Sequence, residues 1–315
     1  MTLFIYEHLT SGALLNEPFS AGLIHEGDAM LSTLSQDLLA LGQHVSLMRD
    51  ARLPDLPPHP LLKVEKISNI EAYQQSWQHS LQENKNIVLI APETDGVLYQ
   101  LVRQLEQSPI RHLGSSPDAI QLCTDKYQTF EQLSLQRIPT PATQTVRDWL
   151  TSNHNNDLWL IKPRDGAGCE QTYKFNSIEL EQYLRSLSNQ QQSQQIIQPY
   201  IVGDALSLSL FLSETEARVL SVNRQHLKEV ANQLSLSHCQ PGCESLISRD
   251  MTEKLIQQVR ATIPGLWGFV GIDLVLSDNQ IWVIEINPRL TSSYAEPGFR
   301  QHHNPALALY KSIQK

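Results

Sequence analysis

The sequence predicts an open α/β domain at the N-terminal end, followed by an α+β region. Residues 3–6 form an apolar strand, apolar side chains recur at helical spacing between Met30 and Leu41, and residues 44–48 form a second strand. A strand–helix–strand order favours a parallel sheet with right-handed crossovers. From Ser115 onward, helices and then alternating strands replace that order, which indicates a second architecture.

The remaining elements of the first part follow in chain order. A proline-rich loop and a helical stretch lead to a buried strand at residues 86–92, which completes a Rossmann-like domain without a Gly-x-Gly-x-x-Gly dinucleotide motif. Ser116 and Pro117 are typical of a helix start, so a helix is predicted over residues 118–122. Another helix is predicted over residues 126–135.

Alternating apolar residues predict the strands of the second part. The predicted strands are residues 158–162, 173–175, 196–199, 206–212, 219–223, 269–276 and 281–286. The last two are predicted to form a hairpin that turns at residues 277–279. The Gln- and Asn-rich segment 189–195 is short enough to be a surface loop.

The composition excludes several classes of protein. With 41% apolar and 18% charged residues, the chain is typical of globular proteins, and its net charge of -9 with no Lys/Arg cluster argues against nucleic-acid binding. The four cysteines are too few and too scattered for a disulfide scaffold. No secretory signal is evident and no apolar run approaches the ~20 residues that span a bilayer, so a cytoplasmic protein without a membrane partner is expected.

The strongest local signal is the predicted hairpin. Glu285 and Asn287 lie two apart on one strand and therefore on one sheet face, and hairpin pairing can bring Asp273 beside them. Two carboxylates and an amide oxygen suit Mg²⁺. The alternative is a solvated strand edge, but a carboxylate in the apolar run around Glu285 would need a partner.

Three further segments are ambiguous when each is taken alone. Lys162 precedes a glycine loop, Gly166-Ala167-Gly168, which suits a phosphate but, taken alone, is more typical of a β-turn. Lys126, in the first turn of a predicted helix, would ordinarily be solvated. Residues 198–204 could be a strand end or a hinge that contacts a flat base.

In this order along the chain, these segments resemble the ATP-grasp superfamily. The resemblance rests on Asp125-Lys126, Ile161-Lys162-Pro163 with its glycine loop, residues 198–203, Gly271-Ile272-Asp273 and Glu285-Ile286-Asn287-Pro288-Arg289. It implies a pre-ATP-grasp domain at residues 1–112, a first ATP-grasp lobe at 113–195 and a second lobe with the metal site at 196–315.

The resemblance also implies a role for each candidate residue. Lys126 and Lys162 would reach the phosphates of ATP beneath the loop of Gly166, Ala167 and Gly168. The adenine would meet Gln198 and the backbone of Tyr200 and Ile201, and the ribose would meet Asp204. Asp273, Glu285 and Asn287 would hold one or two Mg²⁺ or Mn²⁺ ions, and Arg289, with Arg224 as a weaker candidate, would contact the transferred phosphoryl group.

More narrowly, the chain resembles the tyramine–L-glutamate ligase branch of that superfamily. Among the segments that carry this likeness are Ala91-Pro92-Glu93-Thr94-Asp95 and Asn287-Pro288-Arg289-Leu290-Thr291-Ser292-Ser293. It implies an ADP-forming carboxylate–amine ligase that works through an acyl phosphate, with glutamate and tyramine as the favoured substrates, in the biosynthesis of a one-carbon-carrier cofactor. It also allows a homodimer.

Two alternatives stay open at this point. The chain could be another amino-acid or peptide ligase, or a sensor that binds ATP without chemistry. Glu7, Glu93 and Asp95 follow strands of the first domain, where α/β folds bind ligands, but capping roles explain them about as well.

Overall fold

The computed structural model describes residues 2–18, 20–166, 169, 171–300 and 304–314. Two of the predicted site residues, Ala167 and Gly168, lie outside the described residues. Within the described residues, none of the helices combines the length and the hydropathy that crossing a bilayer requires.

The first part of the chain is the predicted α/β domain. Its elements are β1 (Thr2–Glu7), α1 (Ala21–Ala40), β2 (His44–Asp50), β3 (Leu62–Ile67), α2 (Ile70–Glu83), β4 (Asn86–Ile90), α3 (Val97–Leu105) and β5 (Arg111–His112). In the described chain the strands form a five-stranded sheet of order β3-β2-β1-β4-β5, and every pairing is parallel. The predicted parallel sheet is confirmed.

The strand β3 was not predicted from the sequence. Its residues read Leu-Lys-Val-Glu-Lys-Ile, and the strand lies at the edge of the sheet with only Ile67 fully buried. Because an edge strand pairs on one side and keeps polar side chains in water, it shows no continuous apolar run.

Two short helices connect the sheets. Ser116 caps α4 (Pro117–Thr124) by accepting the N–H of Ala119, as the Ser-Pro start predicts. Asp125 ends α4 and begins α5 (Lys126–Leu135), where its carboxylate accepts the N–H groups of Tyr127 and Gln128. The bend at Asp125 sets the position of Lys126 in the first turn of α5.

The second part is one large antiparallel sheet flanked by helices. Its elements are β6 (Gln144–Thr145), α6 (Val146–Thr151), β7 (Leu158–Pro163), β8 (Thr172–Asn176), α7 (Ser177–Ser186), α8 (Asn189–Ser193), β9 (Gln195–Pro199), β10 (Asp204–Leu212), β11 (Ala217–Val230), β12 (Gln233–Gln240), α9 (Arg249–Thr262), β13 (Gly268–Ser277), β14 (Gln280–Asn287) and α10 (Leu307–Ile313). Among the described residues the nine strands follow the order β14-β13-β10-β11-β12-β8-β7-β9-β6.

Several elements of this part differ from the prediction: none was predicted at β6, α6, α9 or α10, and α8 and β12 differ as well. The polar segment expected to be a loop forms α8, which begins with a reciprocal capping box between Ser188 and Gln191. The strand β12 was not predicted, because its exposed residues alternate with only two buried ones, Leu234 and Cys239.

One apolar core crosses the border between the two sheets. Leu31, Leu34 and Leu38 of α1 belong to the same buried cluster as Phe269 of β13 and Leu309 of α10. The end of the described chain therefore packs on the first domain. The domain boundaries after residues 112 and 195 stay a prediction.

Candidate functional site

The hairpin of β13 and β14 brings the three candidate metal ligands together. Asp278 and Asn279 adopt left-handed backbone angles (φ 48° and 61°), as a two-residue hairpin turn requires. This turn pairs Leu274 with Val283, and a one-residue register shift between Asp273 and Leu274 then pairs Asp273 with Glu285 across the two strands. Asn287 then donates through Nδ2 to Oδ2 of Asp273 at 3.2 Å.

A residue from a third strand completes this group. Gln225 of β11 donates through Nε2 to Oδ1 of Asp273 at 2.9 Å. Sequence reasoning missed Gln225, although Asn223 and Gln225 form a period-two polar pattern that continues an apolar strand. The fully buried Asn223 in turn donates to Ser207 and Ser209 on β10, so the sheet face beside the carboxylates is polar.

The electrostatics of the group are those of an enclosed cation site. Burial and the adjacent Glu285 carboxylate raise the pKa of Asp273 to about 7. The Asp273 and Glu285 carboxylates repel each other in a buried site, and a nearby cation relieves that repulsion. Among the described residues no group of three or more His, Cys, Asp or Glu side chains is arranged to hold a metal ion, and this group contains two carboxylates and one amide.

Two lysines from distant segments face the carboxylates. Nζ of Lys126 lies 3.5 Å from Oε1 of Glu285 and also donates to the backbone carbonyl of Gly166. Lys162, at the end of β7, exposes 6% of its surface. Burial lowers the pKa of Lys162 to about 8, the charge of Lys126 adds to the shift, and Glu285 opposes it.

The segment before the glycine loop is held by an ion pair. Arg164 donates to the carboxylate of Asp125 through Nε at 2.9 Å and through Nη2 at 2.6 Å. Asp165 accepts the backbone N–H of Asp95 at 3.1 Å, which ties the loop to the first domain. The glycine loop therefore begins beside both Lys126 and the first domain.

The predicted adenine segment lies at the end of β9. Gln198 is buried and donates through Nε2 to Oγ1 of Thr143 at 2.7 Å, while its Oε1 is buried without a partner in the described part of the chain. Tyr200 donates its N–H to the carbonyl of Leu158, and Ile201 next to it is half-buried. Oε1 of Gln198 is therefore a buried acceptor that no described residue uses.

Asp204 and Arg224 bond each other at one edge of the second sheet. Asp204 begins β10, is exposed and accepts a hydrogen bond from Nη2 of Arg224 at 3.2 Å. Because side chains alternate along β11, Arg224 and Gln225 project from opposite faces, and only Gln225 reaches Asp273. The phosphoryl contact of Arg224 and the ribose contact of Asp204 both stay predictions.

Arg289 meets a residue of the first domain. Its Nε donates to Oε2 of Glu93 at 2.6 Å, and its Nη1 donates to the carbonyl of Leu290 at 3.1 Å. Glu7 and Asp95, the other two acids whose role the sequence left open, differ from Glu93 in their contacts. Both oxygens of Glu7 accept hydrogen bonds from residues 9–10, whereas the Asp95 side chain is exposed.

Comparison with known proteins identifies the family of this chain. The description "ATP-grasp domain" matches residues 123–293, more than half of the chain, and a pre-ATP-grasp domain matches residues 43–120. This chain belongs to the ATP-grasp family. The fold expected from the resemblance is therefore confirmed, and the family binds ATP, commonly with divalent metal ions.

This ATP-grasp chain is similar in sequence to one ligase and in fold to two solved structures. Tyramine–L-glutamate ligase from Methanocaldococcus fervens is 28% identical over 277 residues, which cover 86% of this chain and 82% of the relative. An ATP-grasp superfamily protein from Archaeoglobus fulgidus superposes with a TM-score of 0.71 at 24% identity, covering 98% and 88% of the two chains. The L-amino acid ligase from Bacillus licheniformis superposes with a TM-score of 0.63 at 15% identity, covering 93% and 68%.

Proposed function

We propose that this protein is an ATP-dependent carboxylate–amine ligase, which forms an amide, ADP and phosphate through an acyl phosphate. Glutamate and tyramine are the favoured substrates, in the biosynthesis of a one-carbon-carrier cofactor. One observation carries the proposal: Asp273, Glu285 and Asn287 lie on one hairpin beside Lys126. This is the arrangement that the phosphate end of an ATP site needs.

The donor set fits a hard divalent cation. Asp273, Glu285 and Asn287 offer carboxylate and amide oxygens, which Mg²⁺ and Mn²⁺ prefer. The raised pKa of Asp273 supports the fit, since a divalent cation would offset the repulsion between the two carboxylates. When bound there, the metal neutralises charge on the phosphates of ATP. One or two ions are proposed.

Cationic side chains of the protein would neutralise the same phosphate charge. Lys126 and Lys162 would contact phosphate oxygens, and Arg289 would meet the transferred phosphoryl group. Phosphoryl transfer requires little covalent chemistry from a protein, so placing these charges correctly is the main contribution. The loop that begins at Gly166 would cover the phosphates and exclude water, which would otherwise hydrolyse the acyl phosphate.

The nucleotide is proposed to run from this end toward β9. Gln198 would accept or donate to the base through its side-chain amide, and the backbone of Tyr200 and Ile201 would contact the adenine edge. The unpartnered Oε1 of Gln198 supports this orientation, because a buried acceptor without a partner is rare. Asp204 remains the candidate for the ribose hydroxyls.

The similarity to tyramine–L-glutamate ligase supports the choice of substrates, since it extends over most of both chains. Another amino-acid or peptide ligase is the alternative, and the fold shared with L-amino acid ligase supports it. A sensor that binds ATP without chemistry is less well supported, because it would not need the metal ligands together with Arg289. A cytoplasmic homodimer stays a prediction.

The test is phosphate release from ATP with pairs of acids and amines. The purified chain with glutamate, tyramine and Mg·ATP should release phosphate and form an amide that mass spectrometry detects. Mn²⁺ should replace Mg²⁺, and excess EDTA should abolish turnover. Release with other amino-acid pairs but not with tyramine would favour the alternative ligase. Silence with every pair, together with ATP binding, would favour the sensor.

A further inference from the structure

Glu93 joins the first domain to the candidate site. It follows β4 at the carboxyl end of the parallel sheet, where α/β folds bind ligands, whereas Arg289 follows β14. The bond between Arg289 Nε and Glu93 Oε2 is 2.6 Å long, and the two side chains expose only 14% and 6% of their surface. A charge-assisted hydrogen bond in such an enclosed place fixes the orientation of the guanidinium.

The second carboxylate oxygen of Glu93 has no such partner. Oε1 is buried and accepts no hydrogen bond from any described residue. An ionised carboxylate can only accept, and a buried acceptor that lacks a donor is costly. Beside it, Arg289 has N–H groups beyond the two that bond Glu93 and Leu290. A free acceptor next to free donors is complementary to a zwitterion, which carries an ammonium and a carboxylate.

Most other acids nearby are already engaged. Glu7 accepts hydrogen bonds at both oxygens, from the N–H of Leu9 and from the N–H and hydroxyl of Thr10. Asp273 accepts from Gln225 and Asn287, and Glu285 faces Lys126. Glu296 is the rival, because it is half-buried and its carboxylate bonds no described residue.

We propose that Glu93 recognises the ammonium group of the amino-acid substrate through Oε1, while Oε2 orients Arg289. The inference rests on the proposed function, in which the activated acid is an α-amino acid such as glutamate. It assigns to Glu93 a role in specificity: an acid that lacks the ammonium leaves Oε1 without a donor and is disfavoured. No bond is made or broken at Glu93.

The test compares glutamate with glutarate, which carries the same two carboxylates without the ammonium. Tyramine and Mg·ATP are held constant, and kcat/KM is measured for each acid. The wild type should prefer glutamate. Glu93→Gln should lower kcat/KM for glutamate about 10- to 100-fold more than for glutarate, the worth of one hydrogen bond to a charged group. The preference should therefore collapse in that variant.

Asp95→Asn is the matched control. It removes a charge from the same loop, its side chain is exposed, and asparagine tolerates the left-handed backbone at that position (φ 56°). This variant should keep the preference for glutamate. If Glu93→Gln does not fold, Glu93→Asp supports the same comparison, because it keeps the charge beside Arg289 but withdraws the carboxylate by one methylene.

Several results would overturn the inference. If Glu93→Gln lowers kcat/KM equally for glutamate and glutarate, the only role left for Glu93 is to orient Arg289. A wild type that uses both acids equally, or a preference that collapses in Glu296→Gln instead, would contradict it as well. These results differ from failure of the proposed function, in which the wild type releases no phosphate with any acid and amine.

Discussion

Replacing Glu285 by glutamine removes one carboxylate from the candidate metal site and keeps the shape of the side chain. Nζ of Lys126 lies 3.5 Å from Oε1 of Glu285. At an effective dielectric constant of about 20, that attraction is worth about 5 kcal/mol. Asp273, the cross-strand partner at about 5 Å, repels Glu285 by about 3 kcal/mol on the same scale. The two effects largely cancel, so the free energy of unfolding should fall by only about 1–2 kcal/mol.

ATP turnover should respond far more strongly than stability. A preorganised charge that acts on the reacting group is commonly worth about 10²- to 10³-fold in rate, and loss of a metal ligand should cost at least that much. Phosphate release with glutamate and tyramine measures the first effect, and urea unfolding in EDTA measures the second. Glu253→Gln is the control, because Glu253 is half exposed and, among the described residues, pairs only with Arg249 one helical turn away.

The expected loss in the rate of phosphate release is at least about 10²-fold. A Glu285→Gln protein that unfolds like the wild type and releases phosphate at a rate within about threefold of it would refute the reasoning. It would also be refuted if Glu253→Gln lost turnover to the same extent. A variant that does not fold would instead contradict the stability estimate, since it would show that Lys126 depends on Glu285 more than Asp273 opposes it.

The remaining predictions concern Glu7 of the first domain and Gly268 at the start of β13. Burial raises the pKa of Glu7 to about 7, so its contribution to stability is present below its unfolded pKa and is lost as the pH rises through about 7. Between pH 4.5 and 8 the wild type should therefore lose about 3 kcal/mol more unfolding free energy than Glu7→Gln, and equal pH slopes in urea titrations would contradict this. Gly268→Ala should destabilise the protein by about 2 kcal/mol or more, because Gly268 has a φ of 74° and a Cβ there would lie 2.7 Å from the Leu113 carbonyl. A melting temperature equal to the wild type would contradict that account.

Local patterns explain why much of the fold could be predicted. A buried strand such as β4 is a continuous apolar run, and a helix start such as Ser116-Pro117 carries its own cap. The edge strand β3 and the exposed strand β12 gave no such signal, because the side chains that face water are free to be polar. Elements were therefore missed where burial did not constrain their composition.

The sequence predicted some features of the candidate site and not others. The sequence by itself placed Asp273, Glu285 and Asn287 on one hairpin, because turn residues separate two apolar strands. The structure decided that Asp273 pairs with Glu285, since a one-residue register shift between Asp273 and Leu274 offsets the pairs that continue from the turn. The sequence also marked Lys126, Lys162 and Arg289 as candidate cations through the order of their motifs.

Only the tertiary structure decided which of these charges meet. Lys126 reaches Glu285, Gln225 rather than Arg224 reaches Asp273, and Glu93 bonds Arg289 across 196 residues of chain. Such contacts depend on how the two sheets pack around the shared core that includes α1 and β13. Chain geometry fixes neighbours over a few residues, whereas burial of apolar faces fixes neighbours that are far apart, and that burial is a property of the whole fold.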